Sequence, residues 1–353
     1  VLVVGDVGYR EVEYYRNRKI IPHIDLPINI VARLTPYLGK VLYFLSIAKV
    51  YALRRAKFFK EIGIGCKNAE KTISTLAAGF FLYYIFYGLI RPSHFLYLIA
   101  SYGNEAETLV LKKMKVPVFE YQHGYSFPEQ PGYSYSRCLH PLKAKMVIPD
   151  KYLWYGKYWE DALVLNGFYA KENIKVIGHP NLSIMKDAEK NKNCILVAAQ
   201  TGSNEQFMNF LHNYIDRSAY AKNKCFIVKC HPRETAYYIK MWHDFSAKYP
   251  DKVKISTEST YKLLMRCHVM LTGTSTVLFE GLYFNCTAYI FTNYLMKHKS
   301  SIWKDEFATI IDESYIGDLV PRNISSEMAK TISLMWAPFN GRMLRETLSY
   351  KII

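Results

Sequence analysis

From Arg91 to Phe291 the chain alternates short apolar runs with longer amphipathic stretches, and these are the two periods of strand and helix. Phe95–Ala100, Val116–Tyr121, Tyr152–Tyr155, Ile174–Ile177, Cys194–Ala198, Cys225–Lys229, Val253–Ile255, Val269–Leu271 and Thr287–Phe291 read as strands, as does Val1–Gly5. Between them Glu105–Lys115, Trp159–Gly167, Asn204–Ser218, Thr235–Tyr249, Tyr261–Arg266 and Thr276–Tyr283 read as helices. Regular alternation of this kind predicts an α/β protein built from doubly wound parallel sheets. A length of 353 residues suits two domains, each with its own core. We set them at 1–150 and 151–324, with Gly178 as a later alternative for the break, and expect a final helix, Ser325–Trp336, in a 325–353 segment that crosses back to the first domain.

The first ninety residues follow a different pattern. From Ile28 to Lys60 a helical period interleaves Lys40, Lys49, Arg54, Arg55, Lys57 and Lys60 with aliphatic and aromatic side chains, as in a helix lying on a membrane surface or packed on its own domain. Thr72–Ile90 then runs for 19 residues without a charge, bounded by Lys71 and Arg91. That length approaches a membrane span, but its Gly, Ser, Thr and Tyr content favours a buried or interfacial helix.

Composition narrows the partners. Lys and Arg outnumber Asp and Glu by 46 to 30, a net charge of +16, so an anionic partner is expected. No zinc-finger or RNA-recognition signature and no Gly-Lys-Ser/Thr loop is present, which sets nucleic acid and P-loop chemistry aside in favour of an anionic membrane surface and a phosphorylated donor. Cys66, Cys138, Cys194, Cys225, Cys230, Cys267 and Cys286 are odd in number and include no Cys-x-x-Cys pair, as expected for reduced thiols in the cytoplasm. The chain opens in an apolar run, Val1 to Val4, with no initiator Met and no basic-then-apolar export segment, and the expectation is a cytoplasmic protein peripheral on the inner face of the plasma membrane.

Candidate chemistry sits where the strands stop. In open parallel sheets ligands bind beyond the carboxyl ends of the strands. There the chain places Gln122-His123-Gly124, Gln200-Thr201-Gly202, Lys229-Cys230-His231-Pro232-Arg233 and Gly273-Thr274-Ser275-Thr276. Gly and small hydroxyl residues ahead of a helix can turn backbone amides toward an anion. His231 after a buried strand can pair with a diphosphate, and His123 has the pKa range to take a proton from a hydroxyl. Tyr125–Arg137, rich in Tyr, Pro and Ser, is long enough for an acceptor loop.

Taken with Gly178-His179-Pro180-Asn181 and Glu280, these motifs resemble a bacterial GT-B superfamily over about Tyr97–Phe291. Its members include teichoic-acid glycerophosphotransferases, capsule Kdo transferases and bacterial sialyl- and polysialyltransferases. The resemblance implies two Rossmann-like domains facing a central cleft, with a nucleotide-sugar donor on the second. It assigns His231, Ser275 and Thr276 to the donor phosphates and Glu280 to the donor ribose or sugar; Thr201, Gly202, Lys229, Pro232, Arg233, Gly273 and Thr274, at the same strand ends, are expected to complete the donor site. Gln122, Gly124 and Tyr125 fall on the acceptor side, with His123 and Glu280 the catalytic pair. His123-Gly124 stands where the sialyltransferase branch carries an acidic pair, which leaves the sugar open.

The function implied is transfer of a sugar to a surface polysaccharide or lipid-linked glycan, in capsule, O-antigen or lipooligosaccharide synthesis. The alternatives are a CDP-polyol phosphate transferase, a nucleotide-sugar hydrolase or epimerase of the same fold, and a nonenzymatic polysaccharide-assembly factor. No Asp-x-Asp occurs, so catalysis without metal and without a cofactor is expected.

Overall fold

The computed structural model describes residues 2–3, 29–45, 55, 57, 60, 65–97, 104–130, 132–165, 167–182, 190–232, 234–273, 275–291 and 305–349. Among the expected features, Arg233, Thr274, Lys49 and Arg54 lie outside them.

Two all-parallel sheets organise the chain. The first holds β1 (Leu2–Val3), β2 (Phe95–Tyr97), β3 (Val118–Tyr121), β4 (Lys151–Trp154) and β5 (Ile174–Val176), in sequential order. The second holds β6 (Asn191–Ala198), β7 (Cys225–Lys229), β8 (Val253–Ile255), β9 (Cys267–Thr272), β10 (Thr287–Phe291) and β11 (Thr309–Ile311), in the order β11-β10-β9-β6-β7-β8. That order reverses between β6 and β9, the topological switch point of a doubly wound sheet. Because β4 and β5 hydrogen-bond into the first sheet, the change of sheet falls after Val176 and not at 150. Of the two breaks expected, the one at Gly178 fits this and the one at 150 does not, since nothing local to Lys151–Trp154 says which sheet it joins.

The helices are α1 (Asn29–Phe44), α2 (Cys66–Ile90), α3 (Glu105–Lys113), α4 (Lys157–Val164), α5 (Asn204–Arg217), α6 (Ala236–Lys248), α7 (Thr260–Arg266), α8 (Val277–Tyr283), α9 (Ser326–Met335) and α10 (Gly341–Leu348). Their starts are chemically marked. Thr235, Ser259, Ser325 and Asn340 each accept a hydrogen bond from the amide three residues on, which satisfies a donor that the first helical turn leaves open. Strand β11 and helix α10 were not legible as elements, and a short helix, Arg137–Lys145, follows the expected acceptor loop.

The second sheet is covered on both faces, as a parallel sheet must be. Ile195, Val197, Phe207, Phe210, Trp242, Val269 and Phe291 pack on one face. On the other, Leu196, Met270, Leu278 and Phe279 join Trp154, Tyr155 and Trp159 of the first half and Met335, Trp336 and Leu344 of the C-terminal segment in one continuous cluster. A third cluster packs α2 and α3 on the first sheet through Tyr87, Phe95, Val110, Leu111 and Val118.

The C-terminal segment returns to the first half along its backbone. Ala337 N–H donates to Tyr155 O (2.9 Å), Asn340 N–H to Ile177 O (2.8 Å), and Trp159 Nε1 to Met335 O (2.9 Å). This approach leaves no room for a side chain at two glycines. A Cβ on Gly156 would lie 2.3 Å from the Leu334 and Met335 carbonyl oxygens, and one on Gly178 2.3 Å from Pro338 O. Gly178 also has φ +79°, which disfavours any other residue. We expect Gly156→Ala to push the returning segment off Tyr155 and to destabilise the fold by about 1–3 kcal/mol, read as a lower denaturant midpoint; an unchanged midpoint would show that the segment yields freely.

Candidate active site

The switch point puts the end of β6 beside the end of β9, with Ala198 paired to Thr272. The turns that follow touch. A Cβ on Gly273 would sit 2.5 Å from Gln200 Oε1, so the side chain of one turn lies against the backbone of the other. From the first half, the turn after β3 reaches the same place. Tyr125 N–H donates to Thr276 Oγ1 (3.1 Å), and a Cβ on Gly124 would lie 2.6 Å from that oxygen. The carboxyl ends of both sheets therefore face one another across a shared cleft, with half-buried His123, Gly124 and Tyr125 on one side and half-buried Ser275 and Thr276 on the other.

Gln122 supports this turn from below. It is buried; its Nε2 donates to Gly124 O (2.6 Å) and its Oε1 accepts from Tyr155 N–H (2.8 Å), tying the turn to the end of β4. The amide expected to meet an acceptor is thus engaged with backbone. Next to it, buried Glu120 accepts a short hydrogen bond from Tyr133, which anchors the loop after β3. Tyr125 packs its ring against Phe279 (5.5 Å) and Phe127 (5.7 Å), and burial holds its hydroxyl pKa above the usual phenol value, so it stays protonated at neutral pH.

On the second half His231 and Pro232 are exposed at the end of β7, as are Thr201 and Gly202 at the end of β6; Gly202 has φ +86°. Lys229 Nζ reaches Thr257 O (3.4 Å). The turn after Gly273 uses several of its own amides: Ser275 N–H donates to Gly273 O, Val277 N–H to Ser275 Oγ, and Leu278 N–H to Ser275 O. What it presents toward the first half is the Thr276 hydroxyl.

Two carboxylates behave differently from expectation. Glu280, expected against the donor, is 1% exposed and accepts from the Tyr261 hydroxyl (3.2 Å), which lies 3.4 Å from His179 Nε2. Glu234, which sequence reasoning passed over, is buried and links both donor-side turns. Its Oε2 accepts from Asn204 Nδ2 (2.9 Å) and from Thr201 Oγ1 (3.4 Å), its Oε1 accepts from Thr235 N–H (3.0 Å), and Asn204 Oδ1 accepts from Trp242 Nε1 (2.9 Å). The only local signal was an acidic residue immediately before the Thr235 helix cap. Among the described residues no three His, Cys, Asp or Glu side chains converge as a metal site requires.

No family model matches the chain, and no curated protein matches it. Solved structures do. A UDP-GlcNAc 2-epimerase from Methanocaldococcus jannaschii in complex with UDP-GlcNAc and UDP is 14% identical over 78% of this chain and 81% of that one, with a TM-score of 0.47. The wall teichoic acid polymerase TagF is 11% identical over 73% and 70%, also at 0.47. S. aureus MnaA with UDP is 14% identical over 61% of each chain, at 0.43, so this chain spans less than two thirds of that protein. The two sheets of this chain by themselves give the two-domain, Rossmann-like α/β architecture expected from the sequence. Two Rossmann-like parallel-sheet halves meet at their strand ends, and the C-terminal segment crosses back. At this level of similarity none of the three assigns a role to this chain.

Glu234→Ala should leave the buried Asn204 amide without its acceptor, release the Thr201 hydroxyl and the Thr235 amide, and destabilise the second half by about 1–3 kcal/mol. The check is the urea midpoint, and Glu234→Gln, which keeps one acceptor, should fall between the two; equal midpoints for Ala and wild type would remove the network from the stability of the site.

Proposed function

We propose that this chain is a GT-B glycosyltransferase that moves a sugar from a nucleotide-activated donor to a surface polysaccharide or lipid-linked glycan, without metal. The observation that carries this reading is the Tyr125–Thr276 contact. It sets a turn bearing a half-buried histidine against the switch-point turn of the other sheet, so a proton acceptor and an anion-facing surface share one cleft. The acceptor hydroxyl gives its proton to His123 as its oxygen bonds to the anomeric carbon. The bond from that carbon to the donor phosphate breaks, and the electron pair leaves with the nucleotide. His231, Lys229 and the hydroxyls of Ser275 and Thr276 meet the charge that develops on the leaving phosphate, in place of a metal ion.

His123→Ala should lower kcat about 10²- to 10⁴-fold and leave nucleotide affinity nearly unchanged, whereas His231→Ala should weaken nucleotide binding, as measured by calorimetry over CMP, CDP, UDP, GDP and ADP. A wild-type rate in His123→Ala would exclude it as the base. A phosphodiester product would assign polyol phosphate transfer, donor turnover without acceptor a hydrolase or epimerase, and binding without turnover an assembly factor.

The same reading puts the protein on the inner face of an anionic membrane. Supporting it, α1 and α2 pack antiparallel, with Gly39 against Thr75 and Thr35 against Gly79, and turn apolar stripes outward. Leu34, Tyr37, Val41 and Phe44 line one, Phe81, Tyr84, Ile85 and Leu89 the other; Phe44 and Leu89 are each 81% exposed. Arg33, Lys40, Lys67, Lys71 and Arg91 are exposed on the same pair of helices and their ends. By length and composition α2 could cross a membrane, yet its Tyr83 and Tyr87 are buried in the core of the first half, which fits a helix lying in the interface. Phe44→Ser, Phe81→Ser and Leu89→Ser together should abolish cosedimentation with phosphatidylserine-containing liposomes, and retained binding would leave these stripes without a lipid role.

A further inference from the structure

The two turns that form the cleft are joined through α8, and α8 is held from three sides. At its start Thr276 receives Tyr125 N–H from the first half. In its middle, Phe279 O accepts from Trp336 Nε1 (3.1 Å) of the returning C-terminal segment. Its second turn is held through Glu280 by a buried polar chain that runs out of the helix, through α7, to the segment linking the two sheets.

The direction of that chain follows from its ends. Leu182 N–H donates to His179 Nδ1 (3.3 Å), so Nδ1 is an acceptor and the proton of a neutral imidazole sits on Nε2. Nε2–H then donates to Tyr261 Oη (3.4 Å), and the Tyr261 hydroxyl is left to donate to Glu280 Oε1 (3.2 Å). All three side chains are at most 2% exposed, so the chain works in a medium where each hydrogen bond counts and no water competes. His179 is also fixed in place by rings, with Tyr155 of the first half at 4.5 Å and Trp336 at 5.6 Å. It directly follows Gly178, where the outgoing and returning chain crossings lie against each other.

We propose that His179 and Tyr261 are positioning residues that lock α8, and with it the Ser275–Thr276 turn, to the interdomain crossing, so that the setting of the two halves is read out as grip on the donor nucleotide. This rests on the donor reading above. Both act on α8 through Glu280.

The histidine permits a discriminating pair of variants. Asn carries an acceptor at the Nδ1 position and keeps the Leu182 bond but cannot reach Tyr261, while Gln places a donor at the Nε2 position and keeps the link to Tyr261. Calorimetry with whichever of CMP, CDP, UDP, GDP and ADP binds wild type most tightly should show His179→Asn and the near-isosteric Tyr261→Phe weakened about three- to tenfold. His179→Gln should stay within about twofold, and the His179→Asn/Tyr261→Phe double variant should be no weaker than either single, because both cut one chain. Thermal midpoints of the variants confirm that the protein measured is folded. Wild-type affinity in Tyr261→Phe, equal losses in the Asn and Gln variants, or additive losses in the double variant would overturn the inference while leaving the donor reading in place. Failure of wild type to bind any of the five nucleotides would overturn the donor reading itself and the inference with it.

Discussion

Everything at the cleft depends on the chain crossing between the halves twice at one place. The outgoing crossing leaves the first sheet at Ile177–Gly178, and the returning one lies on it and on Tyr155 through two backbone hydrogen bonds, Ala337 to Tyr155 and Asn340 to Ile177. Backbone contacts this close demand glycine at 156 and 178. The crossings carry a shared apolar cluster with them, which holds Trp154 and Trp159 of one half, Phe279 and Leu278 of the other and Trp336 of the returning segment, with Trp159 directly against Phe279. A cluster that spans both halves is unlike two cores joined by a linker: it restricts how the strand ends of the two sheets can face each other, and so where the turns can meet.

Given that restriction, the cleft is assembled mostly from backbone turns whose support is hidden beneath them. Gln122 fixes the turn that carries His123. Glu234 fixes the Thr201 turn to the turn after β7. Glu280 fixes α8. In each case a buried polar side chain is engaged beneath the turn, which rigidifies the element that carries the exposed residues, His231 and Thr201 among them. Buried polar groups are tolerable only when satisfied, and that requirement ties the precision of the cleft to the integrity of the core.

The aromatic richness of the chain divides along the same lines. Tyr121, Tyr133, Tyr152, Tyr155 and Tyr169 are buried around β3 and β4, where burial holds Tyr169 above its ordinary pKa and keeps it a neutral hydroxyl. Tyr37, Phe81 and Tyr84 instead point outward from α1 and α2 beside lysines and arginines. An amphipathic ring suits both places: in the core Tyr121 donates to Gly178 O and Tyr133 to Glu120, and at an interface such a ring bridges apolar and wet surroundings.

The amino-acid sequence by itself determined the elements and their type. Cys225–Lys229, Val253–Ile255 and Thr287–Phe291 form as strands with the bounds their apolar runs mark, because strand and helix periods and cap residues are local properties. It also determined which turns end the strands, since glycine and small hydroxyl residues stand out against buried runs. Tertiary structure alone decided which sheet Lys151–Trp154 joins, that Gln122 turns inward, and that Glu280 is buried against Tyr261. The physical reason is distance along the chain. Tyr125 and Thr276 are 151 residues apart, and Tyr261 and His179 82, so their pairing follows from how two sheets pack and leaves no period in the sequence to read.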